Sequence, residues 1–238
     1  MAIQFIYFDC MDTLIQMEVA SLDVYSEWAY RGASGLGLWE DERSFSRDWT
    51  AHRERFLSQY DHREGTILDR IHDLLSERTA RIGLDWSPQR IEEEACGIHR
   101  SFWERYRAAA YVLPEVPVVL EKIQREWEIP FGVVSNFMVQ GGILSLLEEH
   151  LLDRFFQVVL VSCDQGFRKP SEIIYGSAIR AAGVAPGEIL FIGDDFLTDY
   201  EGPRAMGMDS LLYDRRRLYP EVERRIESFG EIERWLNV

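Results

Sequence analysis

Five short apolar runs, most of them closed by a polar or acidic residue, constrain this chain more than any other feature. They are IQFIYF (3–8), PFGVVS (130–135), FQVVLVS (156–162), EILFIGD (188–194) and DSLLYD (209–214). Continuous apolar runs of this length, rich in aromatic and β-branched residues, read as strands buried on both faces. Between the later runs lie helical patterns, VPVVLEKIQREW (116–127), GGILSLLEEHLL (141–152), SEIIYGSAIRAAG (171–183) and TDYEGPRAMG (198–207), and GEIERWLN (230–237) closes the chain. Strands and helices alternating at this spacing predict right-handed βαβ units, hence an α/β fold with a Rossmann-like open parallel sheet.

From about residue 15 to 111 the pattern changes. No run there has convincing strand character, whereas four long stretches read as helices: SLDVYSEWAYRGA (21–33), SFSRDWTAHRERFLSQY (44–60), GTILDRIHDLLSERTARIG (65–83) and SPQRIEEEACGIHRSFWERYRAAA (87–110). The last carries a start signal, with Ser87 as cap, Pro88 at the first helical position and acids in the first turn. The chain therefore divides into an α/β core, residues 1–14 and 112–238, and an inserted all-helical domain, residues 15–111. Pro114 and Pro117 mark the return to the core. Trp28, Trp39, Trp49 and Tyr60 read as core residues of the insert rather than as a substrate platform.

With 26 basic residues against 41 acidic ones, the net charge of -15 argues against nucleic acid or an anionic membrane as partner. Any anionic substrate needs a local positive site. No apolar stretch approaches the ~20 residues that span a bilayer, and the start, MAIQFIYFDC, lacks the features of a secretory signal. A cytoplasmic protein is expected. Cys10, Cys96 and Cys163 are scattered, as are His52, His62, His72, His99 and His150, so neither a disulfide framework nor a zinc site is indicated. Lys122 and Lys169 are the only lysines in an arginine-rich chain. Lysine is a compact point charge, which a tight site can require where the broad arginine fork does not fit.

In open α/β sheets the reactive centre lies beyond the carboxyl ends of the parallel strands. The polar residues expected there are Asp9 and Asp12 after the first run, Ser135 and Asn136 after the second, and Asp194 and Asp195 after the fourth. Arg168 and Lys169 precede the helix that opens with PSEIIY. Acids, a hydroxyl and a rare lysine converging in this way suggest a site for a hard cation and a phosphate. Lys122, in EKIQREW, has no such context and reads as a solvated helix residue.

These residues make the chain resemble the haloacid dehalogenase-like hydrolase superfamily over essentially its whole length. FDCMDTL (8–14), VVSNF (133–137), RKPSEIIY (168–175) and GDDFLTD (193–199) match the four family motifs in order, and the insert resembles the family's helical cap. The resemblance implies a small phosphorylated molecule as substrate and Mg²⁺ as cofactor. Asp9 would be the nucleophile, forming an aspartyl-phosphate; Thr13 and Ser135 would hydrogen-bond the nucleophile region and a phosphate oxygen. Asn136 and Lys169 would help to bind the phosphate, with Lys169 also neutralising charge beside Asp9. The metal would be held by Asp9, the Met11 backbone carbonyl and Asp194, with Asp195 and Asp199 ligating directly, through water or from behind the ligands.

One position departs from the pattern. Phosphatases of the family usually carry a second aspartate two residues after the nucleophile, followed by glycine; here those positions are Met11 and Asp12. Methionine cannot protonate a leaving oxygen, and losing a general acid typically lowers rates ~10²- to 10⁴-fold. In an extended segment Asp12 points away from residues 9 and 11, so it serves as a substitute only if the chain turns sharply. The leading expectation is a Mg²⁺-dependent phosphatase of low or specialised activity. The alternatives are a metal-independent 2-haloacid dehalogenase, whose chemistry needs no second acid, and a weakened scaffold that binds through its cap. Substrate identity and oligomeric state are not legible.

Overall fold

The computed structural model describes residues 2–19, 21–59 and 62–236, which leaves Tyr60 outside the described residues. The chain divides into two compact units, Met1–Gln16 with Tyr111–Val238, and Met17–Ala110. Each is built from a different periodicity. Where the chain crosses between them, β2 (Gln16–Met17) and β3 (Ala110–Tyr111) form a separate two-stranded sheet.

The first unit is a six-stranded parallel sheet. Its strands are β1 (Phe5–Phe8), β4 (Phe131–Ser135), β5 (Phe156–Val161), β6 (Ile189–Gly193), β7 (Asp209–Tyr213) and β8 (Arg225–Ile226), in the order β5-β4-β1-β6-β7-β8. The five apolar runs are thus the first five of these strands. The two-residue edge strand β8 has no sequence signal of its own. All residues of β1, β4 and β6 are buried, as expected for inner strands of a sheet covered on both faces.

One face packs Tyr7 and Phe191 against Ile174, Tyr175 and Ala178. On another side of the strands Phe8 meets Phe131 edge-on at 5.3 Å and stacks with Phe229 at 5.8 Å. Burying side chains of this size contributes ~1.5–3 kcal/mol each. Gly132 is required by this packing. A Cβ there would stand 2.4 Å from Tyr7 Cε1, and the Tyr7 hydroxyl is itself fixed by donating to the Ala178 carbonyl at 2.8 Å.

The second unit contains α1 (Leu22–Ala33), α2 (Glu42–Gln59), α3 (Ile67–Arg81) and α4 (Pro88–Ala109). Ser87 caps α4 by accepting from the Arg90 amide at 3.2 Å, with Pro88 opening the helix. The acids expected in that first turn are absent from it; Glu92 to Glu94 begin only in the second. Trp39, Phe45 and Trp49 are buried, and the rings of Phe45 and Trp49 stack at 5.6 Å. Trp28, half-buried, packs against Tyr25 and Phe102. Gly32 admits the backbone of α4, since a Cβ there would lie 2.7 Å from Ile98 Cα.

The remaining helices belong to the first unit: α5 (Glu115–Trp127), α6 (Gly142–Glu149), α7 (Ser162–Gln165), α8 (Glu172–Ala182), α9 (Gly202–Ala205) and α10 (Glu233–Leu236). Lys122 on α5 is not simply solvated, for its Nζ pairs with Glu233 at 2.6 Å. The stretch expected to be one helix over 198–207 is a wider π-helical segment, Phe196–Glu201, followed by α9. No described helix is long and apolar enough to cross a membrane.

Gly132→Ala tests the sheet packing. Because the new methyl group meets an inner-strand tyrosine, unfolding in urea should show a loss of about 1–3 kcal/mol, whereas Gly230→Ala, with open space at its Cβ, should lose less.

Candidate active site

The carboxyl ends of β1, β4 and β6 bring four segments of the first unit together. Asp9 follows β1 and is 7% exposed; its amide donates to the Ile192 carbonyl at 2.8 Å. Lys169, 2% exposed, donates from Nζ to Asp9 Oδ1 at 2.7 Å and to Asp199 Oδ1 at 2.6 Å. Its loop is held by Asn136, whose amide group donates to the Lys169 carbonyl at 3.0 Å while its oxygen accepts from the Lys169 amide at 2.7 Å. Both ends of the Asn136 side chain are therefore engaged by backbone. In this conformation it positions Lys169.

Asp199 is 1% exposed. Its Oδ1 also accepts from the Thr198 hydroxyl at 3.2 Å, and its Oδ2 from the Asp195 amide at 3.1 Å. Gly193 is what makes room for it, because a Cβ at residue 193 would lie 2.5 Å from Asp199 Cγ. Tyr175 steadies the same segment from α8, donating to the Thr198 carbonyl at 2.5 Å.

Asp194, half-buried, accepts from the Thr13 hydroxyl at 3.3 Å, so Thr13 reaches an acid of the fourth motif. Asp195 is exposed and caps the π-helical segment, its Oδ1 accepting from the Thr198 amide at 2.8 Å. Among the described residues Asp9, Asp194 and Asp199 form a group whose ligand oxygens lie within 4.8 Å of one another; Asp195 is not in it. Ser135 lies at the end of β4 with its buried hydroxyl oxygen making no hydrogen bond among the described residues.

The chain does turn sharply after β1. Leu14 and Ile15 donate to the Cys10 carbonyl at 2.8 and 2.9 Å, and Asp12 donates to the Ile15 carbonyl at 2.7 Å. Asp12 sits at φ 61°, a left-handed conformation that glycine enters freely and aspartate better than most other residues. This is the position at which the family pattern has glycine. The turn also leaves Asp12 close enough for its charge to be felt at Asp194.

Electrostatics follow from crowding. Burial, together with Asp199, outweighs the neighbouring lysine and pushes the Asp9 carboxyl up to about 7. Burial and the charges of Asp9, Asp199 and Asp12 push Asp194 up to about 8. For Lys169, burial favours the neutral amine, but Asp199 and Asp9 overcome it and hold the group charged, above the usual lysine range. One ammonium among three clustered carboxylates leaves excess negative charge, and an all-oxygen donor set of this kind suits a hard divalent cation such as Mg²⁺.

Sequence patterns did not single out Asn136 as a clasp, Gly193 as a clearance or Tyr175 as a strut. The only signal was a glycine between an apolar strand and an acid.

A family profile described as "Hydrolase: haloacid dehalogenase-like hydrolase" matches residues 3–207. The chain is 41% identical over 84 residues to human (Homo sapiens) "Haloacid dehalogenase-like hydrolase domain-containing protein 3", covering 34% of this chain and 32% of that protein. It is 23% identical over 154 residues to "Glyceraldehyde 3-phosphate phosphatase" of Pyrococcus furiosus, covering 63% and 60%. The match thus spans about a third of the first relative and three fifths of the second. A 2-haloacid dehalogenase from Pseudomonas syringae pv. Tomato DC3000 shares the fold with a TM-score of 0.76 at 22% identity, covering 99% of this chain and 98% of that one.

The crowding has a measurable sign. Carboxyls with folded-state values near 7 and 8 bind protons more tightly folded than unfolded, so they destabilise the metal-free protein increasingly as pH rises from about 4 to 8. Asp194→Asn should therefore raise the melting temperature of the metal-free protein, more at pH 8 than at pH 5. Mg²⁺ should raise that of the unsubstituted protein and leave the variant's nearly unchanged, both read by scanning calorimetry.

Proposed function

The chain belongs to the haloacid dehalogenase-like hydrolase family, and from that premise we propose that it is a Mg²⁺-dependent phosphatase acting through an aspartyl-phosphate on a small phosphorylated molecule. The observation that carries this reading is the close group Asp9, Asp194 and Asp199, of which Asp9 and Asp199 share a single buried ammonium. Carboxylates gathered so closely suit a reaction that brings a cation, whereas halide expulsion brings none to offset their repulsion. The phosphatase name of the Pyrococcus furiosus relative supports the same reading.

In this proposal an Asp9 carboxylate oxygen attacks phosphorus, the ester oxygen leaves, and water then cleaves the aspartyl-phosphate to release inorganic phosphate and regenerate Asp9. Lys169 fixes the Asp9 carboxylate by its 2.7 Å hydrogen bond and offsets charge building on the phosphoryl oxygens. Ser135 offers its unengaged hydroxyl to one of those oxygens. Asp9, the Met11 carbonyl and Asp194 would hold Mg²⁺, and Asp199, both of whose oxygens already accept hydrogen bonds, would orient the set. Mg²⁺ would supply positive charge that offsets repulsion between anionic substrate and anionic nucleophile. The insert would act as the cap that selects substrate.

Met11 supports one refinement and one rival. With no acid at residue 11 to protonate the departing oxygen, substrates with good leaving groups, such as aryl phosphates, should be favoured over alkyl ones. The same absence suits 2-haloacid dehalogenation, which predicts halide release from 2-chloropropionate without Mg²⁺.

Asp9→Asn should reduce hydrolysis of phenyl phosphate to background while leaving the fold intact by circular dichroism. Met11→Asp should raise kcat/KM for glycerol 1-phosphate, which reports the step in which the leaving group departs, by about 10²-fold or more and change that for phenyl phosphate far less. Equal changes for both substrates would remove the protonation argument, and chloride release without Mg²⁺ would replace the phosphatase reading with the rival.

A further inference from the structure

We propose that Arg215 and Arg216 form a second anion subsite beside the reaction centre, so that the preferred substrate carries a carboxylate or second phosphate in addition to its phosphoester. The inference rests on the phosphatase reading and deepens it. It begins with a turn beyond residues 3–207, the part of the chain that the family profile matches.

Asp214 follows β7 and is 4% exposed. Its carbonyl accepts from the Arg217 amide at 3.0 Å, and its carboxylate accepts from the amides of Leu218 and Tyr219 at 2.7 and 2.9 Å. Arg217 closes the turn at φ 56°. Arg215 and Arg216 are thereby fixed at the apex of a turn that a buried acid organises, and both are exposed.

The turn is fastened beside the fourth motif. Tyr219 stacks on Phe196 at 5.1 Å with the rings 16° apart, and Phe196 lies between Asp194 and Asp199. In register, Gly193 pairs with Leu212, so Asp194 continues opposite Tyr213 on the neighbouring strand. Asp214 follows that strand directly and Arg215 begins the turn after it. Arg215 Nη1 also donates to Gln16 Oε1 at 2.8 Å, and Gln16 Nε2 donates to the Thr13 carbonyl at 3.4 Å, a chain of contacts that leads directly into the nucleophile loop. The buried Tyr213 hydroxyl feels the charges of Glu115, Arg215 and Asp194.

The charge of these two residues is uncompensated. Nearby Arg217, Arg224 and Arg225 are paired with Glu227, Asp209 and Glu227 respectively. Arg216 makes no ion pair or hydrogen bond among the described residues, and Arg215 bonds only a neutral amide. Lys169 is already flanked by two carboxylates. In a chain of net charge -15, two unpaired guanidinium groups beside a phosphate site form a place for a second anionic group, which arginine binds through paired N–H donors.

The test compares 4-carboxyphenyl phosphate with phenyl phosphate, two good leaving groups that differ by one carboxylate. The unsubstituted protein should prefer the carboxylated ester in kcat/KM, and Arg216→Ala should lower that preference about tenfold, chiefly through KM, with Arg216→Lys recovering part of it. The double variant Arg215→Ala/Arg216→Ala should abolish it. No preference in the unsubstituted protein, or a preference unchanged in the double variant, would overturn the subsite. If neither ester is hydrolysed the phosphatase reading fails on its own. Stabilisation of the folded protein by each ester, read as a melting shift with and without the arginines, then decides the subsite by the same comparison.

Discussion

The rest of the site is arranged around one buried ammonium group, that of Lys169, held between Asp9 and Asp199 at 2.7 and 2.6 Å. Removing a lysine charge from water is unfavourable unless its donors are met. Here two carboxylates meet it, one from the end of β1 and one from the π-helical segment after β6. Each support of the neighbourhood can be traced to that requirement. Asn136 fixes the lysine's backbone, Gly193 clears space for Asp199, and Tyr175 ties down the carbonyl next to it.

A single cation does not balance the acids around it. Burial drives the carboxyls of Asp9 and Asp194 upward, and like charge adds to it, from Asp199 at Asp9 and from Asp9, Asp199 and Asp12 at Asp194. Breaking the Lys169 contacts would leave these acids facing one another in a poorly solvated place. Positive charge offsets this repulsion, from the lysine and, in the proposed function, from a divalent ion. The same logic explains why an anionic substrate would need further help at a distance from the phosphate. The protein repels anions as a whole, and the lysine's charge is already shared.

The strands were legible because a buried inner strand imposes a local pattern, a short unbroken apolar run, that needs no partner to be recognised. Strand ends follow from strands, so the convergence of Asp9, Ser135, Lys169 and Asp194 could be anticipated from topology alone. What escaped detection depends on contacts remote in sequence. Lys122 finds Glu233 across 111 residues. Asn136 grips the backbone of Lys169 across 33, and no property of SNF distinguishes a clasp from a phosphate ligand. β8 is too short to show a period, and the π-helical turn at Phe196–Glu201 keeps the same apolar spacing as an ordinary helix would over so few residues. Extended geometry would turn Asp12 away from residues 9 and 11, whereas the chain turns at that residue.

That turn bears on the missing acid. The loop from Cys10 to Ile15 closes through three backbone hydrogen bonds and one left-handed residue. None of these needs a carboxylate at position 11, and aspartate meets the conformational demand at position 12 with modest strain. The pair Met11 and Asp12 thus keeps the backbone that presents Asp9 while removing the side chain that would donate a proton. The change is chemical rather than architectural. In the proposed function such a site keeps Asp9, Lys169 and the acid cluster, so formation of an aspartyl-phosphate would be impaired only to the extent that the leaving group needs protonation. Leaving groups that depart as anions would escape the loss, and the step then exposing the missing group would be hydrolysis of the intermediate, where water is activated without residue 11. Asp12, whose charge already reaches Asp194, is the nearest acid in sequence to that position, but the turn that brings it close is the one that fixes its backbone. Its side chain can assist that step only from where the turn has set it.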